Sequence, residues 1–369
     1  MIRLSKSCLS ELEFRRVMTV LEGEFLGMGP MVEIFESRLS EMFGRHVVCV
    51  SSGTAALQLA LQATGIGSGD EVIVPSITYV ATYQAISATG ALPISCDICS
   101  SSGQLDLDDM LHRVTSKTKA VVPVHFAGST CDLKKLYQIC EDNKLRVIED
   151  AAHAFGTKYN GKLVGSIGDV TCFSFDGIKN ITCGEGGCVV TNDQEVADLI
   201  KDLRLLGVEG ESSSRYQKKR KWKFDVRHQG WRYHMSDIMA AIGCAQLERF
   251  DQLASRRNEL SAAYSRKLRD NIHIEALSST NNYIVPHIYP ILVKEIKFRD
   301  RLRDYLDEKN IQTGMHYFPN HLLNKFRSPY ALPGAEHFYK RIITLPMHPD
   351  LSLSDVDEII TVINSFFAE

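Results

Sequence analysis

HVVCVSSGTAALQLALQATGIGSGDEVIVPSITYVATYQAISATGALPIS, residues 46–95, twice passes from a short apolar run to a stretch patterned like a helix. HVVCV and EVIVP are rich in β-branched residues, whereas AALQLALQAT (55–64) and ATYQAISATG (81–90) carry apolar residues at helical spacing. Such alternation implies βαβ units, in which a crossover helix joins parallel strands. The runs are apolar at nearly every position, so the sheet they form is covered on both faces. The pattern continues to residue 191 through LPIS (92–95), KAVVPVHF (119–126), LRVIEDA (145–151), VTCFSF (170–175) and GGCVVT (186–191), with a helical stretch LKKLYQICEDN at 133–143. A short Gly-rich loop joins the last two runs, which allows one of them to run antiparallel. The fold class is therefore α/β, with a mixed, mostly parallel sheet between helices.

A second regime begins near residue 236. SDIMAAIGCAQLERFDQLASRRNELSAAYSRKLRD (236–270) has helical patterning throughout and is long enough for two helices. A polar link (278–282), a strand candidate HIYPILV (287–293), a charged helix (298–310) and a last helix (354–369) complete a smaller α+β unit. The expected division is 1–247 for a large domain and 248–369 for a small one.

Composition adds bounds. The chain has 369 residues, 44% hydrophobic, with net charge −3. That length supports a large core, and the balance gives no general attraction to nucleic acid or anionic membrane. No run approaches a membrane span and the N-terminus lacks a signal-like apolar core. The ten cysteines are scattered singly, so they read as buried hydrophobes in a reducing, cytoplasmic setting. Cys96 and Cys99 form a lone C-x-x-C without the second pair a zinc site needs, and no metal is expected.

Four stretches carry candidate chemistry. Lys179, in TCFSFDGIKNITCGEGGCVVT (171–191), lies in a loop between two β-branched runs and ahead of Gly184, Gly186 and Gly187. A lysine so placed reaches a bound carbonyl when burial or a cationic neighbour leaves its amine free, though a surface or phosphate-contacting role is the plainer alternative. SSGTAAL (51–57) joins a strand end to a helix start, where backbone N–H groups and the helix dipole favour a phosphate; a simple helix cap fits as well. Asp150 closes the strand LRVIED, at the rim where parallel sheets bind ligands, and would suit a pyridine nitrogen or cap a helix. Tyr79 follows another strand, placed to stack on a planar ring or to pack in the core, and Ser174 ends a strand five residues before Lys179. Together these supply a phosphate group (Gly53, Thr54, Ala55, Ser174), a ring-nitrogen partner, a ring face and an amine for an aldehyde, the parts of a pyridoxal phosphate site.

SGTAALQLAL, GDEVIVPSITYVAT, VPVHFAG, VIEDAAHAFG, GSIGDVTCFSFDGIKNITCGEGG, SDIMAAIG and HYFPNH resemble, in order, the motifs of the DegT/DnrJ/EryC1/StrS aminotransferases. The resemblance implies a fold type I enzyme using pyridoxal 5′-phosphate, cytoplasmic and homodimeric, with active sites shared across the subunit interface. It makes Lys179 the Schiff-base lysine and Asp150 the partner of the pyridine nitrogen. It puts His153 beside the cofactor's 3-hydroxyl, Thr54, Ala55 and Ser174 at the phosphate, and Tyr79 on the ring. Where family members carry an Asn reaching the phosphate from the partner subunit, GWRYHMSD (230–237) has Arg232. A guanidinium there suits the cofactor phosphate, or the substrate's pyrophosphate, or an exposed structural role. His316 and Tyr317 of HYFPNH fall near the sugar, where packing is the alternative. The run RYQKKRKWKF (215–224), with Lys219 and Arg220, reads as a solvated loop or as a partner for the nucleotide diphosphate.

The implied reaction transfers the amino group of L-glutamate to a nucleotide-linked 4-keto-6-deoxy sugar, for O-antigen or other surface polysaccharide. The branch it most resembles converts dTDP-4-keto-6-deoxy-D-glucose to dTDP-4-amino-4,6-dideoxy-D-glucose. A GDP- or UDP-linked sugar and a C3-keto sugar are the alternatives. Lys179 argues against the dehydratases of the family, in which a histidine replaces the lysine. GIGSGD (65–70) precedes a strand and lacks G-x-G-x-x-G spacing, which argues against a dinucleotide-binding oxidoreductase.

Overall fold

The computed structural model describes residues 1–210, 212, 216–217, 222–279 and 283–368. Seven strands form the main sheet: β1 (His46–Val50), β2 (Glu71–Pro75), β3 (Leu92–Cys96), β4 (Thr118–Val121), β5 (Arg146–Asp150), and, beyond a two-stranded ribbon of β6 (Lys158–Tyr159) and β7 (Lys162–Leu163), β8 (Val170–Ser174) and β9 (Gly187–Thr191). Their order is β1-β9-β8-β5-β4-β2-β3. β9 is antiparallel to both its neighbours, and the four other pairings are parallel, so β9 alone is reversed. The connection from β8 to β9, residues 175–186, holds no crossover helix, and β9 returns beside β8 as its antiparallel neighbour. The run KAVVPVHF yields a strand only to Val121, because Pro123 has no N–H for the ladder.

Alternate residues of each strand enter different cores. After the N-terminal helices α1 (Glu11–Glu22) and α2 (Pro30–Phe43) come α3 (Gly53–Ala63) and α4 (Val80–Ala88), against which Val48, Val50, Val72, Val74, Ile148 and Val170 pack. On the other face Val47, Cys49, Phe173, Cys188 and Val190 pack with an N-terminal helix, Pro30–Phe43, and with Asp237–Glu248. Ile73, Val121 and Val147 meet the helices Leu107–His112 and Leu133–Asp142. The three layers expected from near-continuous apolar strands are thus present.

The long helical pattern from 236 is two helices, Asp237–Glu248 and Phe250–Leu268. Ser236 caps the first through Met239 N, and Arg249 leaves helical geometry at φ −110°, ψ 15°. Three antiparallel strands, β10 (Ile274–Ala276), β11 (Tyr289–Val293) and β12 (Ile342–Leu345), bury their inner face against Phe250–Leu268, Ile296–Glu308 and Leu353–Ala368. The N-terminal segment lies along this smaller sheet: Ile2 bridges Ile311, and Met347 N donates to Leu4 O at 3.0 Å. Among the described residues no helix is long and apolar enough to cross a membrane.

Candidate active site

The C-terminal ends of β1, β2, β5 and β8 open on a cavity of about 470 Å³. Each strand ends by releasing one short loop there, as parallel sheets do. The loop after β1 starts α3, where Ser52 caps by accepting from Ala55 N at 3.1 Å. Gly53 lies against Ser174: a Cβ on it would stand 2.8 Å from the Ser174 Cβ, so only glycine lets these two backbones approach. Gly53, Thr54 and Ser174 all line the cavity. Ala55 does not. It is buried one residue behind, with its N–H taken by Ser52.

At the end of β5, Asp150 is buried and accepts from Thr82 Oγ1 at 2.8 Å and Ala152 N at 3.2 Å. Burial raises its carboxyl above the ordinary range, while Thr82, the Ala152 N–H and the Lys179 charge pull it down. His153, three residues on, is also buried; its Nε2 pairs with Tyr317 Oη at 3.1 Å, and its Nδ1 has no partner among the described residues. Burial, with the Lys179 and His316 charges, drives its pKa well below the imidazole norm, so the ring is neutral.

Lys179 is carried by the loop between β8 and β9. Asn180 anchors that loop by donating from Nδ2 to the carbonyls of Phe155 (3.1 Å) and Val285 (3.0 Å). The Lys179 Nζ stands 3.5 Å from His287 Nε2. Burial lowers its pKa; the charges of Asp150 and Asp176 oppose this and Arg257 adds to it. A lysine so placed offers a free amine at lower pH than a surface lysine does.

Tyr79 rims the cavity with 61% of its surface exposed, its ring 5.8 Å from that of Tyr317. His316 and Tyr317 enter from the opposite side in sequence, held by Thr344 Oγ1 on His316 Nδ1 (2.8 Å) and by Asn320, whose Nδ2 donates to the carbonyls of Ser76 and Thr78. The HYFPNH segment therefore does both things: two residues line the cavity and Asn320 packs. Burial and the Lys179 charge lower the His316 pKa to about 4.

Arg232 is not in this cavity. It is exposed, bridged through its backbone to Leu205. Lys219 and Arg220 lie outside the described residues. Three contributors escaped sequence reasoning. Thr82 stands one helical turn beyond Tyr79 and fixes Asp150. His287 comes from the turn before β11 and Arg257 from the helix Phe250–Leu268 packed on the smaller sheet, where the one sequence signal is a histidine leading an apolar run.

The model of the DegT/DnrJ/EryC1/StrS aminotransferase family matches residues 7–364. The chain is 39% identical over 346 residues to GDP-perosamine synthase of Escherichia coli O157:H7, covering 92% of this chain and 91% of that protein. To the spore coat polysaccharide biosynthesis protein SpsC of Bacillus subtilis (strain 168) it is 37% identical over 371 residues, covering 95% and 93%. Among solved structures, the PMP-form of the putative sugar aminotransferase Spr1654 from Streptococcus pneumoniae superposes with a TM-score of 0.93, at 31% identity and 99% of each chain. The same protein has also been solved in a PLP-form. The architecture is that of fold type I.

Proposed function

Since this chain belongs to the DegT/DnrJ/EryC1/StrS aminotransferase family, we propose that it moves the amino group of L-glutamate onto the carbonyl of a nucleotide-linked 4-keto-6-deoxy sugar. The observation that carries the reading is the buried Lys179 amine facing Asp150 across one cavity, with a glycine-lined helix start beside it. Pyridoxal 5′-phosphate is the cofactor, and the residues fit it. The close approach at Gly53 and Ser174 leaves the α3 N-terminus open to a phosphate, and the unpartnered His153 Nδ1 offers a polar contact deep in the cavity. Gly53, Thr54 and Ser174 would hold the phosphate, Asp150 the ring nitrogen, Tyr79 the ring face and His153 the 3-hydroxyl side. Bound there, the cofactor supplies an electron sink for charge developing at the reacting carbon.

The chain's own residues do the rest. Asp150, aimed by Thr82 and the Ala152 N–H, keeps a proton on the ring nitrogen. Lys179 Nζ, its pKa lowered by burial, takes the proton from the glutamate Cα and later delivers one to the sugar carbon that receives nitrogen. Its tether makes both transfers intramolecular. His316 and Tyr317 border the space left for the sugar.

Arg232 is exposed on its own chain, as a residue serving a partner's site has to be. This supports a homodimer with shared sites, Arg232 meeting the neighbour's cofactor phosphate. The break at Arg249 supports the 1–247 and 248–369 division. Sequence motifs favour a dTDP-linked substrate, whereas the 39% identity to GDP-perosamine synthase favours a GDP-linked one. Surface polysaccharide synthesis in the cytoplasm accommodates either. Incubation with glutamate and a panel of dTDP-, GDP- and UDP-linked keto sugars decides. One sugar is expected to give an amino product with stoichiometric 2-oxoglutarate, and Lys179→Ala is expected to give none. Turnover of that variant at the unmodified rate would sink the proposal.

A further inference from the structure

The helix Phe250–Leu268 buries a guanidinium that has no carboxylate partner among the described residues. Arg257 is 2% exposed, and its Nη1 donates to the carbonyls of Pro286 (3.3 Å) and His287 (3.0 Å). Among the described residues its Nε has no acceptor, and the only ionisable group that eases its burial is the Cys8 thiol. Of the other buried arginines, Arg204 pairs with Glu36 at 2.5 Å and Arg299 with Asp300 at 2.9 Å, whereas Arg45 is also held by carbonyls, those of Gly165, Ile167, Gly168 and Asp169, away from the cavity. A buried ion held only by carbonyl dipoles is expensive for the fold, so its position calls for a reason.

The reason lies in what those carbonyls carry. The Pro286–His287 turn brings the His287 ring to 3.5 Å from Lys179 Nζ and to 4.6 Å, between centroids, from the His153 ring. Lys179 is faced by Asp150 from β5, Asp176 from the loop after β8, His153 from the loop after β5, His287 from the turn before β11, His316 from the segment ahead of β12, and Arg257. The two carboxylates favour the ammonium form. Burial keeps the three imidazoles neutral. That leaves Arg257 as the permanent positive charge of the group.

We propose that Arg257, hydrogen-bonded to the Pro286–His287 turn that stands against the amine, is a positioning residue for Lys179 that acts through its charge: it sets a fixed positive charge near Nζ, opposing the pull of Asp150 and Asp176 toward the ammonium. The role rests on the aminotransferase reading, which needs that amine free. The direction of the Arg257 effect on the Lys179 pKa agrees, being downward.

The test reads the lysine directly. Full-length protein freed of cofactor is labelled with acetic anhydride across pH, and modification of Lys179 is followed by peptide mass spectrometry. Arg257→Gln should raise the labelling midpoint by about one pH unit, roughly a tenfold loss of reactive amine below it. Arg257→Lys, which keeps the charge, should stay within a few tenths. A folded Arg257→Gln protein with the parental midpoint overturns the proposal, as does a lysine variant that shifts as far as the glutamine one. Should the glutamine variant not fold, His287→Asn decides, since it removes the ring but leaves the carbonyl and the guanidinium. An unchanged midpoint supports control by the charge, and a rise of about one unit assigns control to the imidazole and overturns it. No substrate enters this assay, so its failure leaves the transamination reading to the keto-sugar panel.

Discussion

At Asp150 two requirements oppose each other. The carboxyl needs to be charged to hold a protonated ring nitrogen, yet its burial raises its pKa. Thr82 Oγ1 and the Ala152 N–H reduce that cost, and a bound cation would remove more of it. Without cofactor the raised pKa has a defined sign. The native state holds the proton more tightly than the unfolded chain, so this group's contribution is present at low pH and is lost as pH rises through the folded pKa. Asp150→Asn, free of cofactor, is therefore expected to melt higher than the parent at pH 8, with the advantage vanishing at pH 4. Turnover of the same variant should fall on the order of 10²–10³-fold, the scale of losing a preorganised electrostatic partner. Melting curves at both pH values and steady-state rates check the two halves. His153 behaves otherwise: its ring is neutral throughout the neutral range, so its contact with Tyr317 is a hydrogen bond between uncharged groups.

The elements that matter are short loops with fixed ends. The loop carrying Lys179 turns back at Gly184, whose φ of +80° suits glycine, and Gly184 N donates to Thr182 Oγ1 at 2.9 Å. Asn180 pins the same loop to carbonyls on both sides, so the amine's position is set by backbone of three segments. The α3 N-terminus depends on another constraint. Gly53→Ala would bring a Cβ to 2.8 Å from the Ser174 Cβ and force the two strand ends apart. Cofactor affinity should drop about tenfold, equivalent to ~1.4 kcal/mol. Titration of cofactor into the variant by absorbance or fluorescence measures it, and parental affinity would show that the cradle tolerates the methyl group. The seven strands of the main sheet and the helices near 55–64, 81–90 and 133–143 were legible in their apolar patterning, whereas the short helix Leu107–His112 and the ribbon of β6 and β7 were not. The Gly-rich connection allowed one of the last two strands to be reversed, and the structure decided that it is β9.

At the scale of the molecule, one buried network ties layers together. Arg204, fully buried, donates from Nη1 to Glu36 Oε1 and to the Cys49 carbonyl (2.6 Å), and from Nη2 to Tyr216 Oη (2.6 Å). Glu36 also accepts from Cys49 N at 2.7 Å, so an N-terminal helix, β1 and the segment following residue 203 share one ion pair. Glu36→Gln leaves the guanidinium without its counter-charge, and a loss of about 3–5 kcal/mol is expected. Urea unfolding checks it; a change under about 1 kcal/mol would show the pair to be replaceable. Local pattern by itself determined the strand–helix alternation, the covered sheet, and the placement of Asp150 and Ser174 at strand ends with Gly53 and Lys179 in the connections that follow, because periodicity and chain direction are properties of neighbouring residues. Tertiary structure alone decided that Thr82 aims Asp150, that Ala55 lies behind the cavity, and that His287 and Arg257 stand at the amine. Those contacts join residues as far as 108 positions apart, and a side chain's charge and hydrogen bonds act through distance in space, which spacing along the chain does not encode.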